Sequence, residues 1–316
     1  MNAWSKKSFV LKNQDGQNLL KKVLPAFNQI VDEQAIDDDL EQQLNDIYLP
    51  LAAWMAGKHS TTPVVFAING AQGSGKSTLS TILKMLLTEG FSKSVAGVSI
   101  DDFYLPRQAR NELAEQVHPL FKVRGVPGTH DVALIEKVLA DLLQQKSPVK
   151  IPVFDKARDD RQPEAQWRVI NEPVDIILFE GWCVGAQAQQ HDELITAVNE
   201  LEREEDAQGI WRAYVNSQLQ GAYHTLFKKI EYLLMLKVPD MESVLAWRRL
   251  QETKLAQHCK QHGLSSAQVM SNKQIRRFIM HYERLTNSML SEMPQRANIL
   301  LELNPQHQIE AIRVVE

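Results

Sequence analysis

The sequence predicts an α/β fold with a mainly parallel central sheet flanked by helices, and three stretches predict it. "VVFAI" (Val64 to Ile68) and "VDIILF" (Val174 to Phe179) are short continuous apolar runs, the pattern of strands buried on both faces. After the first run, Leu79, Ile82, Leu83, Leu86 and Leu87 mark one helical face that ends near Gly90. Strands that alternate with helices are joined by crossovers, which parallel pairing requires.

The other elements follow in chain order. Residues from about 17 to 57 read as helical, with Leu19, Leu20, Val23, Leu24, Phe27 and Ile30 at helical spacing and a second group from Leu40 through Leu44 and Ile47 to Leu51. The acidic patch "DDDLE" between them suits a solvated helix start, where carboxylates meet the positive end of the dipole. "HSTTP" then interrupts, so residues 1–60 are expected to form a helical N-terminal extension and 61–316 the main domain. "GVSIDDFYLP" (Gly97 to Pro106) starts as a strand through Val98 and Ile100. Residues 105 to 170, rich in Pro, Arg and Asp, hold one clear helix from Val132 to about Leu143 and read as an insertion with loops rather than another core layer. The charge run "NELEREED" (Asn199 to Asp206) reads as a wet helix face. "YLLMLKV" (Tyr232 to Val238) is a fourth strand, and helices fill 241 to 293. "ANILLEL" and "QIEAIRVV", separated by Asn304 and Pro305, either pair as a hairpin or hold a fifth core strand.

Composition sets limits on partners. A chain of 316 residues with 44% hydrophobic and 23% charged side chains is ordinary for a soluble globular protein with a large core. Its 35 basic and 39 acidic side chains leave −4, which implies no bulk attraction to nucleic acid or membrane. The start "MNAWSKKSFVLKNQDGQ" lacks the apolar core of a signal peptide, and no run of about 18 apolar residues occurs. Cys183 and Cys259 are far apart and in no metal-ligand spacing, so a reduced, cytoplasmic protein is expected. Cys183 has no apparent basic partner and reads as a small buried hydrophobe. The oligomeric state stays open.

"GAQGSGKS" (Gly70 to Ser77) carries the chemistry. Two glycines four residues apart followed by Lys and Ser let the backbone wrap round phosphates, with N–H groups turned inward and a helix N-terminus behind them. The strand before and the amphipathic helix after supply the context of a P-loop nucleotide-binding fold. Gly70, Ala71, Gln72, Gly73, Ser74, Gly75, Lys76, Ser77 and Thr78 are therefore expected to bind ATP, with Lys76 on the β and γ phosphates and the Ser77 hydroxyl on Mg²⁺. Such a cradle specifies a nucleotide and not a reaction. Glu180 ends the "VDIILFE" strand where open parallel sheets hold their ligands, so it is placed to orient Mg²⁺ or its waters; a loop carboxylate is the plainer reading. No Asn-Lys-x-Asp base-reading motif of a GTPase is present. Asp175, near the start of that strand, reads as a cap or edge residue. Asp101, at the end of another strand of the same sheet, suits the acceptance of a hydroxyl proton during phosphoryl transfer to an alcohol. Asp is also a turn former, and that reading weighs most for Asp102.

The run Asp101 to Tyr104 resembles the short Asp-x-Phe motif of the phosphoribulokinase and uridine kinase superfamily, in which the first Asp is the catalytic base. That maps onto Asp101 and leaves Asp102 at the variable position. Within that superfamily the D-glycerate 3-kinase family is the nearest likeness. "SIDDFYLP", "RGVPGTHDV" (Arg124 to Val132), "PVFDKA" (Pro152 to Ala157), "LFEGWCVG" (Leu178 to Gly185) and "KVPDMESVLAWRRLQE" (Lys237 to Glu252) resemble its blocks in order, from about residue 62 to 304. The segment "ARDDRQP" departs from a more glycine-rich pattern, and Phe154 stands where Tyr is common.

The resemblance implies a kinase with lid helices at about 241–293, in which Arg248 comes onto the transferring phosphate; it leaves the parts of Arg249 and Arg161 open. The residues themselves make sense of an acceptor site in 105–170. Arg124 and His130 flank a Pro-Gly turn, and Lys156, Arg158 and Arg161 add positive charge, which suits a small anionic acceptor. Asp102, Tyr104, Arg124, His130 and Lys156 are the expected acceptor contacts. The expected reaction is Mg²⁺- and ATP-dependent phosphorylation of a small hydroxy acid, D-glycerate to 3-phosphoglycerate foremost. The rivals are the same chemistry on a nucleoside, pantothenate or a sugar phosphate, and an ATP-binding regulatory protein that transfers nothing. Intact Lys76, Ser77, Asp101 and Glu180 argue against the last.

Overall fold

The computed structural model describes residues 14–34, 43–59, 61–261 and 269–314. Among them, β1 (Val64–Gly70), β2 (Val95–Ser99), β3 (Ile176–Gly181), β4 (Tyr232–Lys237), β5 (Ile299–Leu303) and β6 (Ile309–Val314) form one sheet in the order β6-β5-β4-β1-β3-β2. Every pairing is parallel except β5 with β6. Both readings of the C-terminal segment therefore hold: β5 lies parallel beside β4, and β6 returns on it as a hairpin. All residues of β1 and β3 are buried, which is why these strands read as unbroken apolar runs.

The two faces of β1 divide the core. Val64, Phe66 and Ile68 point to one side, where α1 (Gln14–Glu33), α2 (Leu49–Lys58) and α3 (Lys76–Met85) cover the sheet. Val23 and Phe27 of α1 and Leu49, Leu51 and Met55 of α2 sit in this cluster, so the N-terminal helices are part of the sheet's covering layer. A π-helical turn, Leu44–Tyr48, leads into α2, and the "DDDLE" patch lies outside the described residues.

Val65 and Ala67 point to the other side. Here the expectation for residues 105–170 is corrected. α5 (Val132–Leu143) buries Ile135, Val138, Leu139 and Leu142 against this face, and Phe121, Val126 and Ile151 join the same cluster. The segment is a core layer. It also holds α4 (Arg107–Gln116), which the sequence hides because only Arg110 and Ala114 are buried in it. Arg110 is 1% exposed and donates to the carbonyl oxygens of Leu105, Lys122 and Asp159, a structural use of a charge.

Behind these run α6 (Glu200–Glu205), α7 (Ile210–Gln220), α8 (Ala222–Phe227), α9 (Met241–Gln261) and α10 (Asn272–Glu292). The "NELEREED" run is a second correction, because it is not simply a wet face. Glu202 is wholly buried and pairs with Arg284 of α10 at 2.6 Å, and buried Asp206 pairs with Arg212 at 3.0 Å. A buried carboxylate needs such partners, and Arg284 lies 82 residues away along the chain, where no local pattern points to it. The Asn199 side chain accepts from Glu202 N at 3.0 Å and donates to Met280 O at 2.9 Å, capping α6 and tying it to α10. Asn199→Ala should cost about 1 kcal/mol, read as a lower urea midpoint at unchanged slope.

Candidate active site

The carboxyl ends of β1, β2 and β3 lie side by side, the edge at which open parallel sheets bind ligands. β1 ends at Gly70, the chain turns through Gly73 (φ 79°) and Gly75 (φ 90°), and α3 starts at Lys76. A Cβ on Gly70 would stand 2.5 Å from Ser74 Oγ, and one on Gly73 3.2 Å from Trp247 Cβ, so side chains have no room here. Among the described residues, the buried Ser74 hydroxyl and Gln72 Oε1 have no hydrogen-bond partner. Lys76 Nζ donates to Ala71 O across the loop at 3.0 Å. Burial lowers the Lys76 pKa, against the pull of the Glu180 and Asp101 carboxylates. Ser77 Oγ donates to Glu180 Oε1 at 3.3 Å. Glu180 is 8% exposed, and burial raises its pKa against the opposing charge of Lys76. Thr78 turns the other way and donates to Gln34 Oε1 at 2.7 Å, beside a second cavity of about 390 Å³ that also touches Gly73, Gly75, Trp247 and His307.

A cavity of about 830 Å³ opens next to Lys76 and Ser77, lined by Asp101, Tyr104, Arg124, Lys156, Glu180 and Arg248 among others. Asp101 sits in a 3₁₀ turn, Ile100–Phe103, directly after β2. Its Oδ1 accepts from the Tyr104 hydroxyl at 2.9 Å and its Oδ2 from Lys156 Nζ at 3.0 Å. Burial opposes ionisation of Asp101, but Lys156 and Lys76 outweigh it and hold the carboxyl below its usual range. Asp102 leaves the cavity. Its Oδ1 accepts from Phe154 N at 3.4 Å and its Oδ2 from Arg168 at 2.9 Å, and burial raises its pKa. The two adjacent carboxylates thus diverge because consecutive residues of a tight turn project in different directions.

His130 also stands outside the cavity lining. It stacks on the Tyr104 ring at 4.6 Å, and Tyr104 meets Phe154 edge-on at 5.3 Å. Gly128 N donates to the Tyr223 oxygen at 3.0 Å, and the Tyr223 hydroxyl sits 2.7 Å from His130 Nδ1. Burial pushes the His130 pKa down to about 4, against the pull of Asp101, and keeps the ring neutral.

Arg124 lines the cavity, paired with Asp159 and 5.4 Å from the Phe154 ring. Its turn is clamped. Tyr282 OH donates to Arg124 O at 3.2 Å, and Trp182 Nε1 donates to Gly125 O at 2.9 Å. The sequence signals neither clamp, although Trp182 stands in the Phe-Glu-Gly-Trp block; Tyr282 has no signal beyond its place on a helix. Arg248 pairs with Glu252 one turn along α9, donates to Gln251 at 3.1 Å and lies 5.3 Å from the Phe278 ring. Its buried Nε has no partner among the described residues. Arg249 is exposed and away from the cavity, and Arg158 is exposed beside Asp155. Arg161 donates to Asp131 at 3.1 Å and to Tyr104 O at 2.9 Å, a structural brace. Asp175 behaves as an edge residue, accepting from Ser94 N at 2.9 Å. Cys183 is fully buried and unpaired, and burial drives its thiol pKa far up. Among the described residues, no helix is long and apolar enough to cross a membrane.

No family model matches the chain. An uncharacterized kinase of Schizosaccharomyces pombe, mug58, is 34% identical over 232 residues, which are 70% of this chain and 78% of that protein. The chloroplastic D-glycerate 3-kinase of Arabidopsis thaliana is 30% identical over 241 residues, 73% of this chain and half (50%) of the plant protein. The solved structure of D-glycerate 3-kinase from Cryptococcus neoformans var. grubii superposes with a TM-score of 0.66 at 22% identity, covering 96% of this chain and 100% of that one; it speaks for the fold alone. Parallel sheet, phosphate loop and these likenesses define a P-loop kinase, a phosphotransferase that acts on an alcohol group. The chain belongs to one kinase family with the Schizosaccharomyces pombe protein.

Proposed function

We propose that the protein transfers the γ-phosphoryl group of ATP, with Mg²⁺, to the terminal hydroxyl of a small hydroxy acid, D-glycerate foremost, forming 3-phosphoglycerate. One observation carries this reading: the Asp101 carboxylate and the cations Arg124 and Lys156 line one cavity beside the phosphate loop. A neutral acceptor needs no such cations, whereas a carboxylate is held by them through charge-assisted hydrogen bonds.

The loop suits a phosphate chain, because its glycines leave only the space that backbone can fill and the buried Ser74 hydroxyl has no partner among the described residues. Ser77 and Glu180, 3.3 Å apart, are the residues that would hold Mg²⁺. When bound, Mg²⁺ would supply positive charge that offsets the charge of the phosphates. Lys76 adds a second cation from the loop itself. Asp101 takes the proton of the acceptor hydroxyl as that oxygen bonds to phosphorus and the bond to the departing nucleotide oxygen breaks. Tyr104 orients Asp101, and neutral His130 keeps Tyr104 in place by stacking. Arg248, on leaving Glu252, meets the charge that develops on the transferring group.

Arg124→Gln should lower kcat/KM for D-glycerate about ten- to a hundredfold, since a charge-assisted bond contributes about 1.5–3 kcal/mol. Glycerol, without a carboxylate, should be a poor acceptor and lose little more in the variant. The reading as a whole is tested by assaying D-glycerate, glycerol, uridine, pantothenate and ribulose 5-phosphate side by side. Rapid phosphorylation of uridine or pantothenate with D-glycerate untouched overturns the acceptor.

A further inference from the structure

We infer that Lys156 determines specificity by guarding the base: it holds Asp101 Oδ2 until an acceptor carboxylate takes it over, so that only an anionic acceptor releases Asp101. The inference deepens the proposed function and rests on it, with Asp101 as the base and a hydroxy acid as the acceptor.

Both oxygens of Asp101 are engaged, Oδ1 by Tyr104 at 2.9 Å and Oδ2 by Lys156 at 3.0 Å. A general base must come within about 2.6–3.2 Å of the group whose proton it removes. An oxygen gripped by an ammonium is a poor proton acceptor, so one partner has to move. The two partners are unequal. Tyr104 is 4% exposed, stacked on His130 and abutted by Phe154. Lys156 is 64% exposed, in the turn that joins the short strands Phe154–Asp155 and Asp160–Arg161, and a lysine's four-carbon stem is flexible. Exchanging one carboxylate for another costs an exposed ion pair little. Lys156 lines the same cavity as Arg124, so a carboxylate seated between them offers that exchange. A neutral alcohol offers none.

Once Oδ2 is free, the acceptor O–H bond breaks, its proton passes to Oδ2, and the oxygen's electron pair forms the bond to phosphorus as the bond from phosphorus to the nucleoside diphosphate oxygen breaks and ADP leaves. The charged and titratable groups facing Asp101 are Lys76, Glu180, Asp102, Tyr104, His130, Tyr282, Cys183 and Lys156. Among those that stabilise its charged form, Lys156 acts most strongly. Its departure therefore also makes Asp101 more basic.

The test uses Lys156→Met and Lys156→Arg in the full-length chain. In Lys156→Met, kcat/KM for D-glycerate should fall about ten- to a hundredfold while that for glycerol holds or rises, so the preference collapses; Lys156→Arg should keep it. The acid limb of kcat/KM should move to higher pH in Lys156→Met, because the charge that depresses the Asp101 pKa is gone. A second readout needs no turnover. In ¹³C NMR titration without nucleotide, the Asp101 carboxyl should titrate higher in Lys156→Met than in wild type. Adding D-glycerate to wild type should raise it more than in the variant, and glycerol should leave it unmoved. A D-glycerate to glycerol preference unchanged in Lys156→Met, or an Asp101 titration indifferent to the substitution, overturns the guard and leaves the acceptor standing. A wild type that prefers glycerol or uridine to D-glycerate overturns the acceptor and the guard together.

Discussion

Asp101→Asn is expected to lower kcat by about 10²-fold or more with ATP affinity little changed. The amide keeps the shape of the carboxylate, and its oxygen still accepts from Tyr104, so the turn after β2 should survive. What disappears is the oxygen that accepts a proton. An amide nitrogen facing Lys156 also replaces attraction by an unfavourable meeting of donors. The neighbour is the control. Asp102→Asn should keep nearly full turnover, because Asp102 binds Phe154 N and Arg168 outside the cavity, and its loss should appear in thermal stability instead. Steady-state kinetics and melting curves on both variants decide between them. An inactive Asp102→Asn with an active Asp101→Asn reverses the assignment.

Lys76→Ala should reduce turnover by about 10²–10³-fold, the scale of losing one preorganised group that stabilises charge in the transition state. The fold should be unaffected, because Lys76 Nζ reaches Ala71 O across the loop and makes no contribution to the apolar clusters. Calorimetry should show weaker ATP binding alongside an unaltered melting temperature. Wild-type kinetics in this variant would remove the loop from the proposed mechanism.

Much of this architecture could be read directly because its causes are local. A strand covered on both faces has to be apolar throughout, so β1 and β3 stand out in any reading. A chain that folds round phosphates has to turn where side chains do not fit, and Gly70, Gly73 and Gly75 mark that turn. α4 was missed for the converse reason: its buried face is one alanine and one arginine, which carry no apolar period. The sequence groups Asp102 and His130 with the acceptor contacts because they share blocks with Asp101 and Arg124. Nearness in sequence does not specify direction. In the fold, Asp102 turns to Arg168, and His130 stands behind Tyr104.

The sequence by itself determined the parallel α/β sheet, the phosphate loop at the end of β1 and the carboxylates ending two neighbouring strands. The tertiary structure alone decided which polar groups are partners. It paired Glu202 with Arg284, set Lys156 on Asp101, bound Arg124 to Asp159 and clamped the Arg124–Gly125 turn with Trp182 and Tyr282. The physical reason lies in what burial demands. An apolar side chain needs only to leave water, so its spacing along one element records the face it covers. A polar or charged group removed from water needs a particular partner at hydrogen-bond distance, and that partner comes from whichever distant segment the packed core brings alongside.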